Sequence, residues 1–322
     1  MKRLAVAAAV LVGLALSSAA RAEVWPARPV RIVNTFAAGG AADVLARIVA
    51  ERLSVAFGQQ FFVETRAGAG GAIGVQSVVN TPPDGYNFVI TNVSLLALAP
   101  VSNPRLGFDP RRDLTNIAYV AGSPVVLSVN AASGMKTLAD FIARARAADK
   151  PLTYSSSGVG SMGHLVAEYF AQTAGIAFEH VPYKGASQGL TDLVGGHIAF
   201  SAQTVSSTNG QLRAGTLVGL AHTGKDRLAD FPAIPTFGEL GYPEVAGTTW
   251  FSLSGPAGLP ADIVERVNRE IVRAMTAPEA QPRLRELGLV ADGLSVDAFN
   301  QLIAQERARW TPVIEKLGLV EK

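Results

Sequence analysis

The sequence predicts an α/β fold of two lobes, with parallel-rich sheets covered by helices and two strands crossing between the lobes. Short apolar, β-branched runs alternate with amphipathic stretches along most of the chain, the pattern of parallel strands joined by helical crossovers. Two glycine-rich turns, residues 36–43 (F-A-A-G-G-A-A-D) and 154–163 (Y-S-S-S-G-V-G-S-M-G), each lie between a strand and a helix. Two further strand-like runs have the character of crossings: 116–129, broken by Gly122-Ser123-Pro124, and 247–256. A crossing at each makes residues 124–246 one lobe and 23–123 with 247–322 the other.

In chain order, strands are expected at 30–34, 61–64, 87–91, 125–129, 152–154, 178–181, 198–202 and 217–221, where β-branched and aromatic residues cluster between turn formers. Apolar residues at 3.6-type spacing place helices at 43–57, 72–79, 137–147, 162–174, 187–194 and 207–214. From Pro260 onward the chain reads as helical, over 261–276, 279–287 and 296–316. No fixed-period repeat interrupts this order.

Residues 1–22 read as a cleaved signal peptide rather than part of the fold. Lys2 and Arg3 precede an apolar run over 4–16, and Ala20-Arg21-Ala22 supplies small residues for cleavage after Ala22. The run is short for a membrane anchor. Export by the general secretory route to the periplasm of a Gram-negative cell is therefore expected. The leader has no twin-arginine signature, so no preloaded cofactor is expected.

Lys and Arg total 28 against 26 acids; removing Lys2, Arg3 and Arg21 leaves 25 against 26, a net charge of −1. A near-neutral chain without basic clusters argues against nucleic acid as a partner. With no cysteine there is no disulfide framework and no thiolate metal site. The expectation is a monomer with no cofactor and no metal.

Several catalytic spellings are weak on inspection. Gly158, Gly160 and Gly163 fit G-x-G-x-x-G, with Glu179 near the end of the next strand, as a dinucleotide fold requires. Three serines separate the strand from the first glycine, however, and export removes the chain from nicotinamide pools. No P-loop is present and no G-x-S-x-G elbow is expected, so hydrolase chemistry has no support. Ser133-Gly134-Met135-Lys136 spells S-x-x-K without its companion motifs. His164, His180, His197 and His222 lack ligand spacing, so each reads as a structural imidazole. No catalytic residue is expected.

The glycine turns carry the functional signal. Glycine lets the backbone approach a ligand, and the first turn of a helix presents unpaired N–H groups and partial positive charge. Each turn is thus an anion site built of main chain. Ser155, Ser156, Ser157 and Ser161 surround the second turn as hydroxyl donors. Asp43 reads as a helix cap, because a carboxylate aimed into an anion site would repel its ligand.

These motifs resemble one family along the whole chain after the leader. V-R-I-V-N-T-F-A-A-G-G-A-A-D-V-L-A-R (30–47), G-Q-Q-F-F-V-E-T-R-A-G-A-G-G (58–71), P-D-G-Y (83–86) and Y-S-S-S-G-V-G-S (154–161) are similar to the Bug family. These are periplasmic solute-binding proteins of tripartite tricarboxylate transporters. P-Y-K-G (182–185), G-G-H-I (195–198), I-P-T-F-G-E-L-G (234–241) and G-P-A-G-L-P (255–260) continue the likeness. The resemblance implies a type II periplasmic-binding-protein fold that closes over a small organic acid. It points to Phe36, Gly39, Gly40, Ala41 and Ala42 from one lobe and Ser155, Ser156 and Gly158 from the other as ligand residues. Thr91, Asn92, Gln203 and Thr204 are expected at the far end of the ligand. Inner-membrane permease subunits or a sensor protein are the implied partners.

The chain departs from the family pattern where Ala38 precedes the glycines and Ala41 and Ala42 follow them, removing two hydroxyl donors. Thr65 to Gly71 likewise reads T-R-A-G-A-G-G rather than N-R-P-G-A-G-G. A less polar pocket follows, suited to a monocarboxylate with an apolar or aromatic body.

Overall fold

In a computed structural model of the chain, residues 24–103 and 105–320 are described. The proposed leader lies outside them. Nine strands form one curled mixed sheet in the order β2-β1-β3-β9-β4-β7-β5-β6, with β8 also paired to β4. On one side, β1 (Val30–Asn34), β2 (Phe61–Thr65) and β3 (Asn87–Asn92) are parallel. On the other, β5 (Leu152–Ser156) lies parallel to β6 (Phe178–Pro182) and β7 (Phe200–Thr204). Strand–helix–strand units produce both parallel blocks. β8 (Leu217–His222) runs antiparallel to β4.

The two parallel blocks meet through antiparallel strands. β4 (Leu114–Asn130) is a single 17-residue strand, longer than the expected 125–129 segment. It pairs with β9 (Thr248–Pro256) as far as Pro124, then with β7 from Val125 and with β8 from Val126. Gly122, paired with Trp250 in the β9 ladder, directs its own N–H and C=O to the other side, exchanging hydrogen bonds of 2.7 and 2.8 Å with Val290. Pro124 beside it has no N–H to donate, which makes this the natural point for a change of partner. The molecule is thus a mixed α/β fold of two domains.

Helix boundaries follow from side chains. Thr137 and Asp140 form a reciprocal capping box before Leu138–Arg146. Ala261–Thr276 buries Ile263, Val264, Val267, Ile271 and Met275 at helical spacing. The final helix, Val296–Lys316, starts at Ser295, whose hydroxyl accepts from Ala298 N–H, and buries Phe299, Ile303, Trp310 and Ile314. Phe299 meets Trp250 of β9 edge-on at 5.5 Å, while Trp310 meets Tyr169 at 6.3 Å. Burying such side chains is worth about 1.5–3 kcal/mol each. One core cluster therefore runs from Val33 and Val89 to Tyr154 and Phe200, with this helix spanning both blocks.

Candidate functional site

Asn34 ends β1 and organises the first turn, donating to Phe36 O at 2.9 Å and accepting from Phe36 N–H at 3.2 Å. Gly39 then adopts a left-handed φ of 83°, which glycine alone takes without strain. The helix Ala41–Phe57 begins with Gly40 at its cap, and no side chain covers its first N–H groups. Asp43, expected as the cap itself, sits three residues further in and reaches back to accept from Gly39 N–H at 3.1 Å. Arg47 holds that carboxylate at 3.1 Å from the next turn. Gly39 N–H is therefore engaged internally. The N–H groups of Gly40, Ala41 and Ala42 meet no acceptor among the described residues.

The second turn is tied differently. Ser155 and Ser156 are neighbours in β5, so their side chains leave opposite faces of the sheet. Ser156 Oγ lies 2.7 Å from His180 Nε2 and accepts from Gly158 N–H at 3.2 Å. His164 Nδ1 accepts from Gly160 N–H at 3.1 Å, which puts the proton of its neutral ring on Nε2. The two imidazoles stack with centroids 4.1 Å apart. Burial pushes His164 down to about 3, helped by the His180 charge, and burial pushes His180 down to about 4. Both rings are neutral near pH 7. The Ser156 hydroxyl and Gly158 amide, both expected as ligand contacts, are bonded to each other.

Free donors lie just beyond. Ser161 caps the helix Met162–Ala174 by accepting from His164 N–H at 3.3 Å. The N–H groups of Met162 and Gly163, both buried residues, have no acceptor among the described residues. Sequence reasoning passed over this pair, although the helix start at 162 was legible. Gly163 packs so closely on β7 that a Cβ there would lie 2.0 Å from Ala202 O.

A common segment brings the turns together. Asn92 Oδ1 accepts from Leu95 N–H at 3.0 Å and opens one turn of π-helix, Ser94–Leu98, followed by Ala99–Ser102. Such π turns recur at functional sites. A Cβ on Gly71 would meet Leu95 at 2.9 Å and Phe36 at 3.4 Å, so Phe36 lies beside this segment's start. A Cβ on Gly160 would meet Ser102 Oγ at 3.3 Å, at the segment's end. Both glycine turns therefore abut residues 92–102.

The far-end candidates divide. Thr91 is committed to the sheet, its hydroxyl bonding Ser252 at 2.7 Å and Ser254 at 3.1 Å. Thr204 bonds Ser207 Oγ at 2.8 Å and accepts from Ser206 at 3.0 Å. Gln203 Oε1 accepts from Ser157 Oγ at 2.6 Å, while its Nε2 is buried with no partner. Ser155 Oγ is likewise buried and unpartnered. Buried polar groups without partners are costly, and a ligand that supplies them is favoured.

Among the described residues the candidate enzymatic constellations do not assemble. One G-x-S-x-G does occur, at Gly185 to Gly189 after β6, contrary to the expectation of no hydrolase signature. Its Ser187 is exposed, and His164 and His180 are occupied with Gly160 and Ser156. No group of three or more metal-ligating side chains is present among the described residues. None of the described helices is long and apolar enough to cross a membrane. Two cavities, of about 380 Å³ beside Thr223, Thr248 and Glu306 and about 250 Å³ beside Leu96 and Arg307, lie outside both glycine turns.

Residues 45–319 match the family described as TctC, tripartite tricarboxylate transporter family receptor. The chain belongs to this family. Among curated TctC-type relatives, protein BugT of Bordetella pertussis (strain Tohama I) is 32% identical over 298 residues, covering 92% of this chain and 91% of BugT. A protein encoded in the tcbD-tcbE intergenic region of Pseudomonas sp. (strain P51) is 33% identical, covering 96% of this chain and 94% of that one. Among solved structures, R. palustris Rpa4515 with adipate superposes with a TM-score of 0.88 at 33% identity, covering 91% of this chain and 98% of the other. MatC from Rhodopseudomonas palustris with bound malate gives 0.83 at 26% identity, over 90% and 100%. These neighbours are solute-binding receptors rather than enzymes, and the dinucleotide spelling over 158–163 is accordingly a helix-opening turn.

Proposed function

We propose that this receptor captures a small organic carboxylate between its two glycine turns in the periplasm and presents it to an inner-membrane permease. The observation that carries the proposal is the set of unpartnered N–H groups at two helix starts, Gly40 to Ala42 and Met162 to Gly163, set against one segment. Each charge-assisted hydrogen bond contributes about 1.5–3 kcal/mol, so a few offset the ordering cost of micromolar binding. In this reading Ser156, Gly158 and Asp43 shape the turns, while Phe36 flanks the ligand. Thr91 and Thr204 support the strands that carry Asn92 and Gln203. We place the lobe boundaries at 123/124 and 246/247, where β4 changes partner and β9 begins, so that closure bends the chain there.

Ligand chemistry follows from what surrounds the donors. Ala37, Ala38 and Val159 are exposed at the turn tips, and none offers a hydroxyl. This reading assigns the two unpartnered donors, Ser155 Oγ beside Gly189 and Gln203 Nε2, to a second polar group. The fitting ligand is an acid with an apolar body carrying a second polar end, as adipate does in the R. palustris neighbour. This extends the monocarboxylate expected from sequence. Thermal unfolding of the chain without its leader in adipate, malate, hexanoate, benzoate and citrate tests it. The largest rise is expected with adipate; a larger rise with citrate would refute the apolar-body reading.

A further inference from the structure

A second cavity, of about 250 Å³ and lined by no residue of either glycine turn, lies between the last helix, Pro110–Asp113 and the π turn. Its wall includes Leu96, Arg111, Asn116, Asn300, Ala304 and Arg307, and no carboxylate lines it. Arg307 donates from Nη2 to Leu96 O at 2.8 Å, its Nε is buried without an acceptor, and it has no ion pair among the described residues. Arg111 is held in place by a fork to Asp109, at 3.0 Å from Nε and 2.7 Å from Nη2. The Asn116 amide donates to Asn300 Oδ1 at 3.0 Å, which engages the Asn300 acceptor and leaves that residue's amide protons available.

We propose that this cavity is a second anion site, which takes a small oxyanion between the guanidiniums of Arg307 and Arg111. Both guanidiniums line the cavity, Arg307 with the protons not given to Leu96 O and Arg111 with those not given to Asp109, and such N–H groups suit carboxylate or phosphate oxygens. A half-buried guanidinium without a counter-ion is unfavourable, and an incoming anion relieves it. Burial, reinforced by the Arg111 charge, already pushes Arg307 below the usual guanidinium range. The larger cavity lacks this character, because Glu306 stands in its wall. Through Arg307 and Leu96 O, the anion would sit one hydrogen bond from the segment that both glycine turns abut.

Inorganic phosphate and acetate, each balanced with chloride to constant ionic strength, are titrated while Tm is read. A saturable rise in Tm with either anion is expected, and the anion that gives it identifies the oxyanion class. Arg111→Gln, which leaves the Arg307 bond to Leu96 intact, should weaken that response about tenfold or more. Ala304→Glu, on the exposed side of the helix three residues before Arg307, places a carboxylate in the cavity and should abolish it. No response beyond that of chloride overturns the site. A response that survives both substitutions places the anion elsewhere, the glycine turns included, and overturns it equally.

Discussion

The two glycine turns perform the same task with different ties. In the first, one acid inside the turn's own helix, Asp43, reaches back four residues to Gly39 and is held by Arg47 four residues on. In the second, two stacked imidazoles hold the loop: His164 from the helix it opens, and His180 from β6, through Ser156. The first arrangement is local, charged and open to solvent on one side. The second is neutral, buried and dependent on a strand more than twenty residues away. The first jaw should therefore tolerate substitution, whereas the second should couple binding to folding.

The largest expected contrast is steric. Gly163→Ala places a methyl against the immobile carbonyl of Ala202 and should cost about 3 kcal/mol in urea unfolding. At Gly40 a Cβ meets nothing nearer than Ala37 O at 3.7 Å. Gly40→Leu, which gives up only a favourable cap residue, should cost the free protein no more than about 1 kcal/mol yet remove the stabilisation of about 2.7 kcal/mol that a ligand gives at a hundred times its Kd. If Gly40→Leu destabilised the free protein as much as Gly163→Ala, the proposed asymmetry would fail.

Next comes pH. His180 and His164 fall to about 4 and about 3 in the folded chain, below the 6.5 of an unperturbed imidazole, because burial disfavours their charged forms. Below pH 6.5 the unfolded chain takes up protons that the folded chain refuses, so stability falls as pH falls from 6.5 towards 4. His222, lowered by burial as well, adds to this slope. His180→Gln keeps an amide near Ser156 and should flatten the dependence, read as urea midpoints between pH 7 and 4. An unchanged slope would mean that His180 titrates normally. The smallest effect is expected at the first jaw, where Asp43→Asn keeps a hydrogen-bonding oxygen and should cost about 1 kcal/mol in Tm measurements.

Much of this is legible in the sequence. The strand at Val30–Asn34 and the helices at Ala72–Val79, Met162–Ala174, Ala261–Thr276 and Val296–Lys316 have the expected bounds, since periodicity and caps are local properties. The break at Gly122-Ser123-Pro124 marked where β4 changes partner, though β4 proved continuous through it. The π turn over 94–98 was not legible, because its apolar run reads equally as buried strand or helix. The partner of Ser156 was not legible for a different reason: its hydroxyl meets His180, a neighbour supplied by parallel pairing of β5 with β6.

What the residues alone determined is where glycine must bend the chain, which helix ends are left with bare amides, and which family the chain resembles. Those follow from φ preference, helix geometry and the order of motifs, all short-range in sequence. Tertiary structure decided which donors remain available. Side chains of Ser156, Asp43 and His164 compete for the turn amides, and only the packing of β6, the first helix and residues 92–102 settles that competition. Hydrogen bonding saturates, so a donor engaged across the fold is lost to a ligand however well its motif reads.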